Sequence, residues 1–346
     1  MKVLFIDPVS PKGHIGFNSI HINALIETFG EVDVVFKTGY KKQSKELKGN
    51  LIYEYPIINL PNNGMFNRYV VWCNFRNIQK NVDFSKYNAI VIAYYDEIAL
   101  NFNLIRNKLY LINHNNVAGA LNNKVKWFFF KRLSRKHTMI VLDPLSKERL
   151  EQKGIPEVIY INHGLKNPFT LDKHWSVKRL GIKKDFKRII FSPSDGSSDK
   201  CFLSELIRNH SFIRLLEESK TILICKNLNL DDFQILSNNI INVTTRLSED
   251  NYANLFLKSD LILVSYPSSF QYRTSGVLME ALANNKDILI SAIPAFKIYD
   301  EIIGERDFYS SGYDFITKLK LKLSKSITSI KRDITKISKP DYSFMK

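Results

Sequence analysis

The sequence has few cysteines and no long apolar run, so it lacks the features of cross-linked and membrane-spanning proteins. Its 346 residues include three cysteines, which are too few and too scattered for a disulfide framework or a zinc site. No uninterrupted apolar run approaches the roughly 20 residues of a membrane span. Asp7 and Pro8 follow the first apolar residues too soon for a signal peptide. We therefore expect a cytoplasmic chain.

Motifs for cofactors and nucleic acids are also absent. Gly13 and Gly16 do not form the three-glycine dinucleotide fingerprint, so we do not expect NAD. No His/Cys cluster has the spacing of metal ligands, so we expect neither a metal nor another cofactor. The sequence contains no helix-turn-helix, zinc finger or aromatic RNA-binding motif, although it is rich in lysine and arginine. Nucleic acid is therefore not the partner we expect.

The positive charge is unevenly distributed along the chain. Lysine and arginine number 50 against 34 acidic residues, a formal net charge of +16. Residues 1–165 carry 22 basic and 13 acidic residues, 166–314 carry 19 of each, and 315–346 carry nine basic and two acidic. The excess therefore belongs to the first half and the tail. The hydrophobic fraction of 45% is that of a globular protein, and the length predicts two domains.

Short apolar runs alternate with amphipathic stretches in both halves. The runs are rich in Val, Ile and Leu, which is typical of parallel strands covered on both faces. We predict strands at 3–7, 32–36, 89–93, 109–112, 139–142, 158–161, 189–192, 221–225, 241–244, 261–265 and 287–291. We predict helices near 17–29, 66–79, 121–135, 145–153, 200–208, 249–258 and 274–284. Repeated β-α units predict two doubly wound sheets, with the linker between 163 and 188.

A polar turn followed by a helix in the second half has the features of a diphosphate site. Thr274, Ser275 and Gly276 open the predicted helix, and these small residues let a ligand approach its backbone N–H groups. Arg273 stands beside the helix start and could pair with phosphate oxygens. Glu280 lies about one and a half turns into the helix, where its carboxylate could accept hydrogen bonds from ribose hydroxyls.

Five segments, taken in chain order, carry a family resemblance. They are Gly13-His14 after the first strand, the strand end 160–165 with His163-Gly164, the loop 191–200 that ends in Lys200, the helix–strand pair 246–265, and the helix 276–282 with Glu280. In this order they resemble the GT-B glycosyltransferases. The resemblance is greatest to the family 4-like enzymes of bacterial surface-polysaccharide synthesis, and it spans nearly the whole chain.

The resemblance implies a fold and a reaction. It implies an α/β chain with two doubly wound Rossmann-like domains facing a cleft, and a C-terminal helix that returns to the first domain. Residues 1–166 would bind the acceptor, 167–312 the nucleotide sugar, and the basic helix and tail 313–346 would pack on the first domain. The reaction would move a sugar from a nucleotide-diphosphate sugar to a lipid-linked or saccharide acceptor in polysaccharide biosynthesis, with retention of configuration.

The resemblance also assigns roles in the second domain. Lys200 would bind phosphate, together with Arg273 and the helix start at 274–276, and Glu280 would bind ribose. Two positions depart from the family pattern. Tyr272 replaces the first of two glutamates spaced i, i+8, which removes a carboxylate facing the donor sugar, and Asp195 replaces a phosphate-binding arginine. The Asp-x-Asp motif of metal-dependent transferases is absent, so cations and the helix N-terminus would neutralise the leaving diphosphate.

Residues that follow strands of the first half are the acceptor-side candidates. His14 follows the first strand, where a base would take the acceptor hydroxyl proton. His114 ends another strand and could bond a sugar hydroxyl, so it is the second catalytic candidate. Gly13, Asp96 and Glu97 are candidate acceptor-binding residues, and Glu97 could also belong to a helix cap. We interpret His163 as a structural turn residue.

Residues 124–136 contain six basic residues and four aromatic ones, without an acid. As a helix, this segment would place aromatics on one side with cations beside them, which is typical of helices at a membrane interface. The predicted membrane contacts are Lys124, Lys126, Trp127, Lys131 and Arg132. An ordinary helix that buries its aromatics against the sheet is the alternative. The membrane interpretation places the protein at the cytoplasmic face of the cytoplasmic membrane, as a peripheral protein.

Two further functional alternatives stay open at this point. An inverting GT-B transferase would use His14 as its base. A catalytically degenerate GT-B domain would serve only as a binding or assembly protein.

Overall fold

Each half of the sequence folds around one parallel sheet. The computed structural model describes residues 1–11, 14–56, 58, 64–103, 105–182, 185–195, 203–226, 238–243, 245, 247–324 and 332–346. These divide into two compact units. The first contains Met1–Gly164, Tyr272–Thr274 and Ile337–Lys346, and the second contains Leu165–Gln271 and Ser275–Lys336.

The sheet of the first unit has seven strands in the order β3-β2-β1-β4-β5-β6-β7, and its pairings are parallel. The strands are β1 Val3–Ile6, β2 Val32–Lys37, β3 Asn50–Tyr55, β4 Ala89–Ile92, β5 Leu109–Asn113, β6 Thr138–Val141 and β7 Val158–Tyr160. Successive side chains of a strand point to opposite faces. Val3 and Phe5 accordingly belong to one buried core, and Leu4 and Ile6 belong to another.

Helices cover both faces of this sheet. They are α1 Ile15–Phe29, α2 Gly64–Asn81, α3 Glu97–Asn101, α4 Asn116–Leu121, α5 Lys124–Ser134 and α6 Pro144–Gln152. Phe17 and Leu25 of α1 pack in the core with Val3 and Phe5. Phe75 of α2 packs in the opposite core, with residues of α4, α5 and α6. This layering explains why the strands are nearly continuous apolar runs.

The second unit contains a six-stranded sheet in the order β10-β9-β8-β11-β12-β13, again with parallel pairings. The strands are β8 Arg188–Asp195, β9 Thr221–Lys226, β10 Ile240–Val243, β11 Leu261–Val264, β12 Ile288–Ser291 and β13 Phe308–Tyr309. The helices are α7 Leu203–Leu206, α8 His210–Glu218, α9 Glu249–Lys258, α10 Gly276–Ala283, α11 Pro294–Lys297, α12 Asp300–Ile303 and α13 Gly312–Ser324. Phe212 of α8 and Phe315 of α13 pack in one core with Leu263 of β11.

All eleven predicted strands are present, and two of the four edge strands, β3 and β13, were missed. β3 pairs with β2 at one edge of its sheet, and β13 pairs with β12 at one edge of the other. Leu51 and Ile52 of β3 are exposed, so the strand lacks the buried apolar run on which the prediction depended. β13 has only two residues.

The helix predicted at 121–135 corresponds to α5, which begins at Lys124 and is shorter than predicted. Asn122 ends α4, and Asn123 caps α5, because its side chain accepts hydrogen bonds from the N–H groups of Val125 and Lys126. The predicted helix 200–208 is the short α7 in the described part of the chain. Helix α8 was missed, although Asn209 caps it and accepts a hydrogen bond from Ser211 N.

The end of the chain divides between the two units. Helix α13 belongs to the second unit, where Phe315 and Leu319 are buried in the core. The last ten residues, Ile337–Lys346, belong to the first unit. There Tyr342 is fully buried and Lys339 pairs with Glu27 of α1 at 2.9 Å. The return to the first unit is thus made by this final segment, and residues 325–331 of the predicted tail helix lie outside the described residues.

Candidate functional site

Helix α10 of the second unit begins at an open position. Ser275 is its N-cap, and its hydroxyl accepts a hydrogen bond from Leu278 N at 3.2 Å. Gly276, the first residue of the helix, is exposed, and a Cβ added there would meet no atom within 4 Å. The chain therefore leaves space directly at a helix N-terminus, where the helix dipole and the first N–H groups favour an anion.

A buried hydroxyl network holds this helix start against the sheet. The Tyr266 hydroxyl accepts hydrogen bonds from Ser194 Oγ at 2.9 Å and from Ser275 Oγ at 3.3 Å. The Tyr309 hydroxyl donates to Ser265 Oγ at 2.7 Å. These residues lie at the carboxyl ends of β8, β11 and β13, which is the edge where doubly wound sheets bind ligands. Sequence reasoning missed Tyr266, although it directly follows the predicted strand 261–265.

Glu280 is buried in α10 and has two partners. Its Oε1 forms an ion pair with Lys166, and its Oε2 accepts a hydrogen bond from Tyr252 at 2.7 Å. A carboxylate has about four acceptor sites, so these contacts leave acceptor capacity. Lys166 and Tyr252 were missed by sequence reasoning, since nothing in the sequence links positions so far apart. The sequence showed Lys166 only as a charged residue in the predicted linker.

The turn before α10 makes its contacts in the first unit. Tyr272 packs against the core of the first unit, and Thr274 Oγ1 donates to the carbonyl of Leu142 at 3.3 Å. Arg273, between them, is half-buried. The predicted set Arg273 to Gly276 is therefore divided, since the first two residues group with one unit and the last two with the other.

Histidines gather at the carboxyl edge of the first sheet. His14 precedes α1, His114 directly follows β5, and His163 follows β7. The rings of His14 and His114, the two predicted catalytic residues, have centroids 4.9 Å apart, and His114 stacks on His163 at 6.0 Å. Phe17 contacts His114 at 4.2 Å and His163 at 5.4 Å. The structure thus brings the two predicted residues together and adds His163, which is buried.

Asp7 lies beneath His14 at the end of β1. Asp7 is fully buried, and its Oδ2 is 3.7 Å from His14 Nδ1. Its carboxylate accepts hydrogen bonds from Ser10 N at 2.7 Å and from Asn18 Nδ2 at 2.8 Å. Burial alone would raise the pKa of Asp7, but the His14 ring and these hydrogen bonds outweigh it and lower the pKa below its usual value. Asp7 is therefore an anion beside His14, and sequence reasoning had assigned it only to the strand.

His21 connects this region to the end of the chain. It is fully buried in α1, and its Nδ1 is 2.8 Å from the hydroxyl of Tyr342. Burial and the neighbouring His163 hold the pKa of His21 well below its usual value. His21 is thus a neutral side chain near neutral pH, and it joins α1 to the C-terminal segment.

Asp96 and Glu97, which we predicted to bind an acceptor, make internal contacts. Asp96 is the N-cap of α3, accepts hydrogen bonds from Ile98 N and Ala99 N, and pairs with Arg68 at 3.2 Å. Glu97 is buried, and its Oε1 accepts a hydrogen bond from the Asn116 side chain at 2.9 Å. Burial raises the pKa of Glu97. The structure therefore gives both carboxylates roles within the unit, of which the expected helix cap is one.

Helix α5 carries the predicted membrane contacts on different sides. Lys124 and Arg132 are exposed, whereas Lys126 and Lys131 are half-buried. Trp127 packs against the core and stacks on Phe130, with ring centroids 6.0 Å apart. Trp127 therefore faces the protein, as in the ordinary-helix alternative.

Two predicted site residues, Gly13 and Lys200, lie outside the described residues. Among the residues that are described, no group of three or more His, Cys, Asp or Glu could hold a metal ion. No helix in the described ranges is long and apolar enough to cross a bilayer.

Comparisons by sequence and by structure differ in outcome. No protein-family model and no curated protein matches the chain. Among solved structures, HepE from Anabaena in complex with UDP and glucose matches with a TM-score of 0.62 and 16% identity, over 94% of this chain and 89% of that chain. Sucrose-phosphate synthase from Thermosynechococcus elongatus gives 0.60 and 11%, over 94% and 90%. A UDP-N-acetylglucosamine 2-epimerase from Rickettsia bellii gives 0.57 and 14%, over 94% and 88%.

The chain therefore has the GT-B fold. Its two parallel-sheet α/β domains, with seven and six strands, match these structures over nearly their whole length, which confirms the predicted fold class. The matching structures include a synthase and an epimerase, so the fold alone does not select the reaction. The reaction must be argued from the site residues.

Proposed function

We propose that this protein is a glycosyltransferase that takes its sugar from a nucleotide-diphosphate sugar. The observation that carries the proposal is the start of α10, where the exposed Gly276 and the buried Glu280 lie on one helix above the carboxyl edge of the second sheet. HepE, whose structure matches 94% of this chain, was solved with UDP and glucose. The arrangement suits a nucleotide with a diphosphate and a ribose.

The donor would be bound mainly by the second unit. The first N–H groups of α10 would face the diphosphate, with Arg273 and Lys200 supplying positive charge. Glu280 would accept hydrogen bonds from the ribose hydroxyls through the acceptor sites that Lys166 and Tyr252 leave open. Gly276 would let the diphosphate approach the backbone, since a side chain there would occupy the space now open. No metal is needed in this scheme.

The acceptor would be bound by the histidine group of the first unit. His14 and His114 would face its hydroxyl groups, and Gly13, which precedes His14 in the sequence, is proposed to contribute as well. The resemblance favours retention of configuration. Inversion is the second candidate, and the approach of the Asp7 carboxylate to His14 supports it, because a buried anion stabilises the imidazolium that a general base becomes.

The proposed pathway rests on the resemblance, and the proposed location rests on the positive charge of the chain. We propose a lipid-linked or saccharide acceptor in cell-surface polysaccharide synthesis, at the cytoplasmic face of the membrane. The first half of the chain and the tail carry the excess of basic residues, which supports an anionic membrane as a partner.

Release of nucleoside diphosphate tests the transfer proposal. The protein is incubated with UDP-, GDP- and dTDP-linked sugars and candidate acceptors, and we expect diphosphate release that depends on one donor and on an acceptor. Anomeric NMR of the product then separates retention from inversion. If His14→Ala turns over like the wild type, the base assignment is wrong. If a donor binds but none of it is consumed, the protein is the binding or assembly alternative.

A further inference from the structure

A series of contacts links aromatic residues of α2, of α5 and of the end of α3 in the first unit. Tyr69 and Trp72 of α2 stack at 5.8 Å, and the Trp72 indole N–H lies 3.5 Å from the carbonyl oxygen of Phe102, at the end of α3. Phe102 contacts Phe129 of α5 at 5.7 Å, and Phe129 contacts Phe128 at 5.3 Å. We call Tyr69, Trp72, Phe102, Val125 and Phe128 the aromatic face.

Four of the five residues of the aromatic face are exposed, and the fifth, Trp72, is half-buried against the core. Phe102 is 63% exposed, Phe128 61%, Val125 57% and Tyr69 55%. Other regions of the described chain expose large apolar side chains singly or in pairs, such as Leu171 or Tyr313. Large exposed apolar patches on a protein surface mark interaction sites, whereas single exposed residues are ordinary.

Positive charge surrounds the aromatic face. Helices α2 and α5 together contain seven basic residues and no acidic residue: Arg68, Arg76, Lys80, Lys124, Lys126, Lys131 and Arg132. Arg76 lies over the Trp72 ring at 5.4 Å. Of the two acids in the intervening α3 region, Glu97 is buried and Asp96 caps α3 and pairs with Arg68, which leaves six of these seven basic residues for the surface charge. The surface therefore combines aromatics with charge of one sign.

We propose that the aromatic face docks on a bilayer containing anionic lipids. Tyr69, Phe102 and Phe128 would enter the headgroup region, and the exposed cations would pair with lipid phosphates. Self-association through this face would bring two like-charged surfaces together, whereas an anionic bilayer neutralises them. The proposal takes up the membrane location proposed above and names its surface. It extends the contact from α5 alone to three helices and replaces Trp127, which faces the core, with Phe102 and Tyr69.

Vesicle flotation of the full chain tests the proposal. We expect binding to vesicles of equal parts phosphatidylcholine and phosphatidylglycerol at low salt, and little binding to pure phosphatidylcholine. The variant Phe102→Ser with Phe128→Ser should bind at least about tenfold more weakly. Lys124→Gln with Arg132→Gln should lose about 25-fold, since each cation near the surface contributes about fivefold. Both pairs are partly or fully exposed, so the fold is retained, as an unchanged thermal transition would verify.

A matched control comes from α13 of the second unit. Tyr313 and Leu321 are 84% and 54% exposed on a helix that also carries lysines. Tyr313→Ser with Leu321→Ser should bind vesicles like the wild type. Equal loss in this control, or wild-type affinity in the Phe102 and Phe128 variant, would overturn the proposal.

Two further outcomes also decide it. The wild type could fail to bind anionic vesicles and form a dimer that the Phe102 and Phe128 variant does not form. That result would show that the aromatic face is a protein interface and not a membrane surface. Donor binding by the same variants, measured by thermal shift without vesicles, is expected to equal that of the wild type. Failure of the membrane proposal would therefore leave the transfer proposal standing, and failure of donor binding in the wild type would leave the membrane proposal standing.

Discussion

Glu280 is the side chain on which the donor-site proposal depends most. It is buried, yet its two partners, Lys166 and Tyr252, do not use all its acceptor sites. A carboxylate held in this way is oriented before a ligand arrives. A ribose would gain hydrogen bonds to a charged group that is already fixed, and such bonds are stronger than neutral ones.

Glu280→Gln should weaken nucleotide-sugar binding while the fold is kept. The amide oxygen can still accept from Lys166, and the amide NH2 can donate to the Tyr252 hydroxyl, but the side chain has lost its charge and one acceptor oxygen. We expect a dissociation constant about 10–100-fold higher, measured by calorimetry with the donor that binds the wild type. Glu305→Gln is the control, because Glu305 also pairs with a lysine of the second unit but is exposed. Equal affinity of both variants would remove Glu280 from the site.

Two buried histidines should make stability depend on pH. Burial holds the pKa of His21 well below 6.5 and lowers that of His137 to about 4. The unfolded chain binds protons at these positions at higher pH than the folded chain does. Their contribution to stability is therefore complete above pH 6.5 and is lost as the pH falls below it.

The expected slope is up to about 1.4 kcal/mol per pH unit for each histidine below pH 6.5. Urea unfolding between about pH 7 and pH 5 measures it. His21→Phe should flatten the slope, and His174→Gln, at an exposed position, should not. Stability that is independent of pH in this range would contradict the neutral, buried state of His21.

Candidate site residues could be predicted from the sequence where a single segment contains the whole pattern. Ser275 and Glu280 lie on the predicted helix, so their relation could be read from one segment. Lys166 and Tyr252 could not be predicted as partners of Glu280, since they come from separate elements and meet only through folding.

Helix α10 shows what an element adds to its residues. Its first residue, Gly276, is open to solvent, and the hydroxyl network of Tyr266 fixes its N-cap. Glycine is the costliest ordinary residue in a helix apart from proline, so packing does not explain its presence here. Close approach of a ligand to the backbone, as proposed for the donor diphosphate, would explain it.

Gly276→Ala should separate folding from binding. A Cβ at this position meets nothing within 4 Å, so we expect an unchanged or slightly higher melting temperature. We expect at least about tenfold weaker donor binding, because the methyl group would stand where the diphosphate approaches. Gly312→Ala is the control, since Gly312 also begins a helix with open space around its Cα. Undiminished binding in Gly276→Ala would show that the helix start is not the phosphate site.

Strands were predicted where a short apolar run is visible in the sequence and missed where it is not. The nine strands inside the two sheets are largely buried apolar runs, and the predicted edge strands β7 and β10 are also short runs rich in Val and Ile. β3 has an exposed face, and β13 depends on pairing with β12, so neither has a strong local pattern. The histidine group could not be predicted as a group either. Its members follow β1, β5 and β7, which are far apart in the sequence and come together only when the strands pair into one sheet.

At the scale of the molecule, the end of the chain is part of the first unit. Tyr342 is buried against α1 through its hydrogen bond to His21, and Gly164 lies so close to Pro340 that a Cβ there would clash. Gly164 has φ +76°, a conformation that also favours glycine. The stability of the first unit thus depends on residues more than 170 positions away from it in the sequence.

Tyr342→Ala should destabilise the protein by about 3–5 kcal/mol, because it removes a fully buried aromatic ring. Tyr313→Ala, at an 84% exposed position, should change stability by less than about 0.5 kcal/mol. Chemical unfolding of both variants measures the difference. A loss in Tyr342→Ala as small as that in Tyr313→Ala would mean that the final segment does not stabilise the first unit.

The central claim is that the protein binds a nucleotide-diphosphate sugar, and a thermal-shift panel tests it most directly. The wild type, Glu280→Gln and Gly276→Ala are each heated with UDP-, GDP- and dTDP-linked sugars. A donor at 100 times its dissociation constant stabilises the folded state by about 2.7 kcal/mol, which raises the melting temperature by several degrees. We predict that one nucleotide class stabilises the wild type and that both variants lose most of this shift. No stabilisation by any donor, or equal shifts in all three proteins, would contradict the account.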